Sequence, residues 1–157
     1  MFIDGGTTTE LLAPLLSNRP DLLVITNNIP LGNQVVISGT PVHILSGRLR
    51  ATSLSALGSR TVEDIASFRA QLVILGANGV DPRLGFTTAD VEEATVKEAM
   101  MRNSQEKIVL ADSTKFGGVF PAAFALPSQI DRLITDIDAP QSSIDSLVAA
   151  GVEVVLA

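Results

Sequence analysis

The sequence contains no cysteine, no tryptophan and no tyrosine. Without cysteine, disulfides, thiolate catalysis and Cys-based zinc sites are excluded. The lack suits a reducing compartment, and a cytoplasmic location is the expectation. Aromatic residues make up only 4% of the chain, all of them phenylalanine, so a core must be built from Val, Ile, Leu and Ala. Those are the residues of buried parallel strands. Positive charge is also scarce: 11 Lys and Arg stand against 17 Asp and Glu, for a net charge of −6. The basic residues are scattered rather than gathered into a patch, so this chain by itself is not expected to grip DNA. No apolar run approaches the ~20 residues of a membrane span. Met1-Phe2-Ile3-Asp4 does not read as a signal peptide. The single histidine, His43, lies inside an apolar run and reads as a core or sheet-edge residue. No His, Cys and carboxylate cluster has metal-site spacing, and no metal or cofactor is expected. Neither G-x-S-x-G nor G-x-x-x-x-G-K-[ST] occurs, and no G-x-G-x-x-G follows the first apolar run.

What is present points to one α/β domain over residues 1–157. A chain of this length can bury ~70% of its unfolded surface without staples. Short apolar runs recur at Phe2-Ile3, Leu22 to Ile25, Val42 to Leu45, Leu72 to Leu75, Ile108 to Leu110, Leu133-Ile134 and Val152 to Leu156. Most lack polar alternation, which predicts strands covered on both faces. Helical patterns lie between them. Thr9 to Leu16 places Leu11, Leu12, Leu15 and Leu16 on one face. Asp90-Val91-Glu92-Glu93 reads as a capping box opening a helix to about Arg102. Gln141 to Ala150 forms another helix, stopped by Gly151. Alternating strand and helix predicts a mostly parallel, Rossmann-like sheet in three layers, with helices on both faces.

Ligands of such sheets sit at the carboxyl ends of the strands, so the segments after each run carry the functional signal. Gly5-Gly6-Thr7-Thr8-Thr9 follows the first strand and combines a sharp turn, three hydroxyls and a helix start, which suits a small anion. A plain turn with a threonine cap is the alternative. Thr26-Asn27-Asn28 could read sugar hydroxyls or cap the helix near Pro30. Ser46-Gly47-Arg48 could bring a guanidinium to a phosphate. Gly76 to Asp90 reads as one long loop containing Asn78, Asp81, Thr87 and Thr88. Asp112-Ser113-Thr114-Lys115 adds an acid, two hydroxyls and a point charge of the kind phosphate sites use.

Taken in order, Gly-Thr-Thr-Thr, Thr-Asn, Gly-Arg-Leu, Gly-Ala-Asn-Gly-Val-Asp, Gly-Phe-Thr-Thr-Ala-Asp and Ala-Asp-Ser-Thr-Lys-Phe-Gly resemble the C-terminal sensor domain of DeoR-family transcriptional regulators. The resemblance runs from Phe2 to Val154 and is most specific from Gly76 to Lys115. It implies a fold similar to ribose-5-phosphate isomerase and glucosamine-6-phosphate deaminase. It implies binding of a phosphorylated sugar or related metabolite that modulates DNA affinity, and assembly into a homo-oligomer, a dimer or tetramer. The family's N-terminal winged helix-turn-helix has no counterpart here, so the chain reads as the sensor part alone, a fragment or a natural truncation. DNA contact would belong to the absent part. A second departure is Ser46, where the family more often has glycine.

The isomerases of this fold use a glutamate base on the helix before the Asp-x-x-Lys segment. Counting back from Asp112 puts Lys97 there, and a cation cannot be that base. Glu93 is expected to be occupied in capping, and Glu98 to face elsewhere. A receptor rather than an enzyme is therefore expected, with an active sugar-phosphate isomerase or deaminase as the alternative. The expected ligand contacts are Gly5, Gly6, Thr7, Thr8 and Thr9 for phosphate, with Lys115 and Arg48 adding charge. Thr26, Asn27, Asn78, Asp81 and Asp112 would read hydroxyls, Thr87 and Thr88 would close the far side, and Lys97 would stand at the old base position.

Overall fold

The computed structural model describes residues 1–157. In chain order the strands are β1 (Phe2–Ile3), β2 (Val24–Thr26), β3 (Val42–Ile44), β4 (Arg48–Arg50), β5 (Ser55–Leu57), β6 (Ala70–Gly76), β7 (Gly79–Asp81), β8 (Gly85–Thr88), β9 (Ser104–Leu110), β10 (Ala122–Ala125), β11 (Arg132–Thr135) and β12 (Glu153–Leu156). The helices are α1 (Thr7–Glu10), α2 (Ile29–Ile37), α3 (Ser59–Ile65), α4 (Val91–Arg102) and α5 (Gln141–Ala149). Every apolar run of the sequence becomes a strand of one sheet, in the order β12-β11-β9-β6-β1-β2-β3. All neighbours in it are parallel.

The chain starts in the middle of this sheet, steps outward to β3, returns beside β1 with β6 and steps outward again to β12. The reversal between β1 and β6 is a topological switch point, where two neighbouring strand ends send their chains in opposite directions and leave a crevice. Because side chains alternate across a strand, Phe2 and Ile3 enter different cores. Phe2 and Ile25 pack with Leu75, Met100, Val109 and Leu147, bringing α4 and α5 onto one face. Ile3 and Val24 pack with Leu16, Leu31 and Val35, bringing α2 onto the other. Coverage of that second face is incomplete: Leu72, Ile74, Leu110 and Ile134 are only half-buried, so these strands are not sealed on both sides as the sequence predicted.

The Thr9 to Leu16 helix does not form as one piece. The chain makes a single α turn at Thr7–Glu10 and a 3₁₀ turn at Ala13–Leu16. Pro14 lies at the start of that second turn and has no N–H to continue the first. Leu16 is consequently buried while Leu11 and Leu15 are each 75% exposed. The segment from Gly76 to Asp90 is not a loop either. It holds β7 and β8, which join β10 in a three-stranded antiparallel sheet. α5 ends as predicted, with Gly151 at φ 97°.

Asp90 does cap α4, accepting from the N–H groups of Glu92 and Glu93 at 2.8 and 3.3 Å. Glu93 does not return the bond, because its carboxylate is held by Arg50 and Thr88. Asp90→Ala removes an N-cap and should cost about 1 kcal/mol. Thermal denaturation should show a fall in Tm of a few degrees.

Candidate functional site

The switch point opens into a cavity of about 420 Å³. Its walls come from Gly5 to Thr8 and Glu10 after β1, Pro30 of α2, Thr52 to Leu54 at the tip of the β4–β5 hairpin, Gly76 to Asn78 after β6, Glu93 and Lys97 of α4, and Lys115 after β9. A larger groove of about 680 Å³ lies between α4 and β10, and none of the expected contacts lines it. Glu98 lines that groove, on a different side of α4 from Lys97, as expected.

The loop after β1 presents unused donors. The backbone N–H groups of Gly5 and Gly6 donate to nothing within the protein; Gly6 is the N-cap of α1, where no side chain caps the leading N–H groups. Thr7 and Thr8 line the cavity with free hydroxyls. Thr9 does not: it is fully buried, and its hydroxyl lies 2.9 Å from the carbonyls of both Asp4 and Gly6. Three hydroxyls therefore do not converge, because the third is spent closing the turn. Gly5 is required by close approach, since a Cβ there would fall on Ser55 Oγ. Lys115 reaches the cavity with only a loose 3.9 Å approach to Asp112.

Lys97 is the most unusual group. It sits at the middle of α4, 6% exposed, and its ammonium pairs with the Asp4 carboxylate. It also donates to the Gly76 carbonyl at 2.9 Å and lies 5.3 Å from the centre of the Phe124 ring. Burial pushes its pKa down, to about 7, against the pull of the Asp4 carboxylate. Asp4 in turn accepts from Gly76 N–H at 3.0 Å. The pair thus ties the end of β1 to the end of β6.

Several expected contacts stand elsewhere. Thr26 and Asn27 are buried in and after β2, outside the 420 Å³ cavity. Thr26 accepts from Asn28 N–H, and Asn28 caps α2 by accepting from Leu31 N–H at 2.7 Å. Arg48 pairs with Glu92 on the surface. Asp81 accepts from the N–H groups of Leu84 and Arg83, which hold its carboxyl below the ordinary value. Asp112 starts the 3₁₀ turn before Lys115, and the Thr114 hydroxyl and N–H hold it low. Thr87 is buried and accepts from Phe120 N–H at 3.1 Å. Thr88 is also buried, with its hydroxyl 2.8 Å from Asn78 Oδ1 and 2.7 Å from Glu93. Each of these residues supports a turn or a wall and does not line the cavity. His43 sits on the edge strand β3, its ring 4.7 Å from that of Phe68.

Sequence reasoning missed Glu10, Pro30, Thr52 to Leu54, Gly76, Ala77 and Glu93 as lining residues. Glu10 accepts from Asn28 Nδ2 at 2.9 Å, and the Ser53 hydroxyl is buried without a partner. The alternation Arg-Leu-Arg and Ser-Ala-Leu around a short polar tip was the available hairpin signal. Arg50 binds this hairpin to α4 through Glu93 at 2.8 Å and Asp90 at 3.4 Å. No group of three or more His, Cys, Asp or Glu side chains could hold a metal ion. No helix is long and apolar enough to cross a membrane.

The chain is 32% identical over 143 residues to the glycerol-3-phosphate regulon repressor of Escherichia coli (strain K12), covering 90% of this chain and 57% of that protein. It is 32% identical to the HTH-type transcriptional repressor GlcR of Bacillus subtilis (strain 168), covering 99% of this chain and 60% of that protein. It is 29% identical to a putative aga operon transcriptional repressor of Escherichia coli O157:H7, covering 99% and 58%. The chain thus spans about three-fifths of the length of these relatives. Residues 1–137 match the family described as the DeoR C terminal sensor domain. With the parallel sheet, the switch-point cavity and this match in place, the chain belongs to the family of DeoR C-terminal sensor domains.

Proposed function

We propose that the domain senses a phosphorylated sugar or a related polyol phosphate and passes binding on to a DNA-binding part of a longer regulator. The observation that carries this reading is the wall after β1: free N–H groups on Gly5 and Gly6, free hydroxyls on Thr7 and Thr8, and Lys115 beside them. Five donors facing one side of a cavity match the acceptor-only oxygens of a phosphate. Glu10, Glu93 and Asn78 stand on the remaining walls and suit sugar hydroxyls, which donate. One relative carries a name that points the same way, a glycerol-3-phosphate regulon repressor. Assembly into a dimer or tetramer and a cytoplasmic setting are parts of the same proposal.

The site reads as a receptor. Lys97 fills the place of the expected base, and the carboxylates that do line the cavity are engaged, Glu93 by Arg50 and Glu10 by Asn28. A coupled assay with aldose and amino-sugar phosphates should show no turnover above background; turnover would restore the isomerase or deaminase reading. For binding, Thr8→Leu places an apolar side chain on the phosphate wall. Calorimetry should find that a phosphate ester stabilising the native domain no longer binds, while Thr8→Ser still does. Equal affinity of Thr8→Leu and the native chain would sink the assignment. The same titration followed by heating gives an independent readout, since a ligand bound only to the native state raises Tm.

A further inference from the structure

A second, much smaller space adjoins the cavity. Gly5, Glu93 and Lys97 line both. It adds Asp4, Asn27 and Ser55 to its polar wall and offers about 10 Å³ to the centre of a water-sized group, the room one oxygen needs.

Two unused hydrogen-bonding positions belong to this wall. Asn27 is 3% exposed, and its Nδ2 donates to the Ala56 carbonyl at 3.0 Å. A carbonyl can only accept, so that bond fixes which end of the amide is oxygen. Asn27 Oδ1 is then a buried acceptor that meets no donor in the protein. Lys97 has three N–H bonds and uses two, on Asp4 and on Gly76. Asn27 Oδ1 is thus left as an acceptor and the third Lys97 N–H as a donor. A hydroxyl oxygen satisfies both, because it accepts one hydrogen bond and donates another. A bare carbonyl oxygen can accept from Lys97 but leaves Asn27 Oδ1 unpaired, and an unpaired buried polar group is costly.

We propose that Asn27 and Lys97 form an inner subsite that takes one hydroxyl of the ligand, so that the sensor selects a phosphorylated polyol or ring-closed sugar. This rests on the phosphate reading of the outer wall. The phosphate stays at Gly5 to Thr8 and Lys115, and one hydroxyl at the far end of the ligand enters between Gly5, Glu93 and Lys97, which line both spaces. Asn27 thus returns as a ligand contact, at the small space rather than the main cavity.

Calorimetric titration of the native chain with paired probes tests this. The probes are inorganic phosphate, glycerol 3-phosphate with propane-1,2-diol 1-phosphate, and glucose 6-phosphate with 1,5-anhydroglucitol 6-phosphate. Within each pair one hydroxyl is removed and the phosphate is kept. At least one hydroxylated probe should bind more tightly than inorganic phosphate and exceed its deoxy partner about tenfold or more. Asn27→Leu should erase the difference within that pair and leave inorganic phosphate binding in place. If that variant does not fold, the pairs on the native chain still decide. Equal affinity within both pairs, or no sugar probe tighter than inorganic phosphate, overturns the inner subsite and leaves the phosphate wall standing. Failure of every probe, inorganic phosphate included, overturns the phosphate reading itself and this inference with it.

Discussion

Lys97→Met should lower the unfolding free energy by about 3–5 kcal/mol, the usual loss when one partner of a buried ion pair is removed. For a chain of this length each kcal/mol moves Tm by about 2–4 °C, so a fall on the order of 10 °C is expected. The cause lies with Asp4 more than with the lysine. Asp4 is 2% exposed, and without Lys97 its carboxylate keeps only the Gly76 N–H. Asp4→Asn in the same chain should restore much of the loss, because an amide oxygen can still accept from Gly76 N–H and no charge is stranded. Denaturant unfolding of the two single variants and the double variant forms a cycle with a coupling free energy. Additive losses would show that Lys97 and Asp4 act independently and would remove the pair from any account of the site.

Gly85→Ala should destabilise by about 3 kcal/mol, while Gly151→Ala should cost only about 1 kcal/mol. The two glycines have similar backbone conformations, with φ of 86° and 97°. Each substitution therefore meets the penalty of a left-handed backbone. They differ in their surroundings. A Cβ on Gly151 would meet nothing within 4 Å, whereas a Cβ on Gly85 would fall on the Ala125 carbonyl oxygen of β10. β8 and β10 would have to part at Phe86 and Ala125, where the ladder already shifts register. Phe86 is fully buried and its ring centre lies 6.3 Å from that of Phe124, which also faces Lys97. The damage should reach the cavity, so ligand affinity should fall in Gly85→Ala and not in Gly151→Ala. Equal Tm shifts in the two variants would mean that dihedral strain alone sets the cost.

The large sheet was legible because burial between layers demands continuous apolar runs, such as Leu22-Leu23-Val24-Ile25 and Leu72-Val73-Ile74-Leu75. The small sheet was not. β7 and β8 are short, half polar and glycine-led, and Thr88 finds its partner Ala122 only far along the chain. Pairing of that kind is settled by tertiary contact rather than by local pattern. The lining of the cavity was legible where it directly follows a strand, as at Gly5 to Thr8, Asn78 and Lys115. Thr9 and Thr87 lie outside that lining, and a hydroxyl in sequence does not reveal whether it turns inward to the backbone or outward to a cavity. The hairpin tip at Thr52 to Leu54 lies far along the chain from Gly5, and only folding brings the two together. Lys97 could be read from helical period alone: three residues after Ala94 and three before Met100, it shares their buried face.

The central place of β1 also has a consequence for synthesis. Of the strands in this sheet β1 is made earliest and finds β2 soon after, but its other edge stays open until residues 70–76 have emerged. Asp4 then awaits Lys97, a partner 93 residues downstream. Until the nascent chain has passed α4, that carboxylate remains hydrated and the end of β1 cannot be sealed. Contacts that must wait for distant sequence form slowly and leave edges open to wrong partners. The ligand cannot act as an early scaffold, because the pocket it would stabilise is assembled from both ends of that wait.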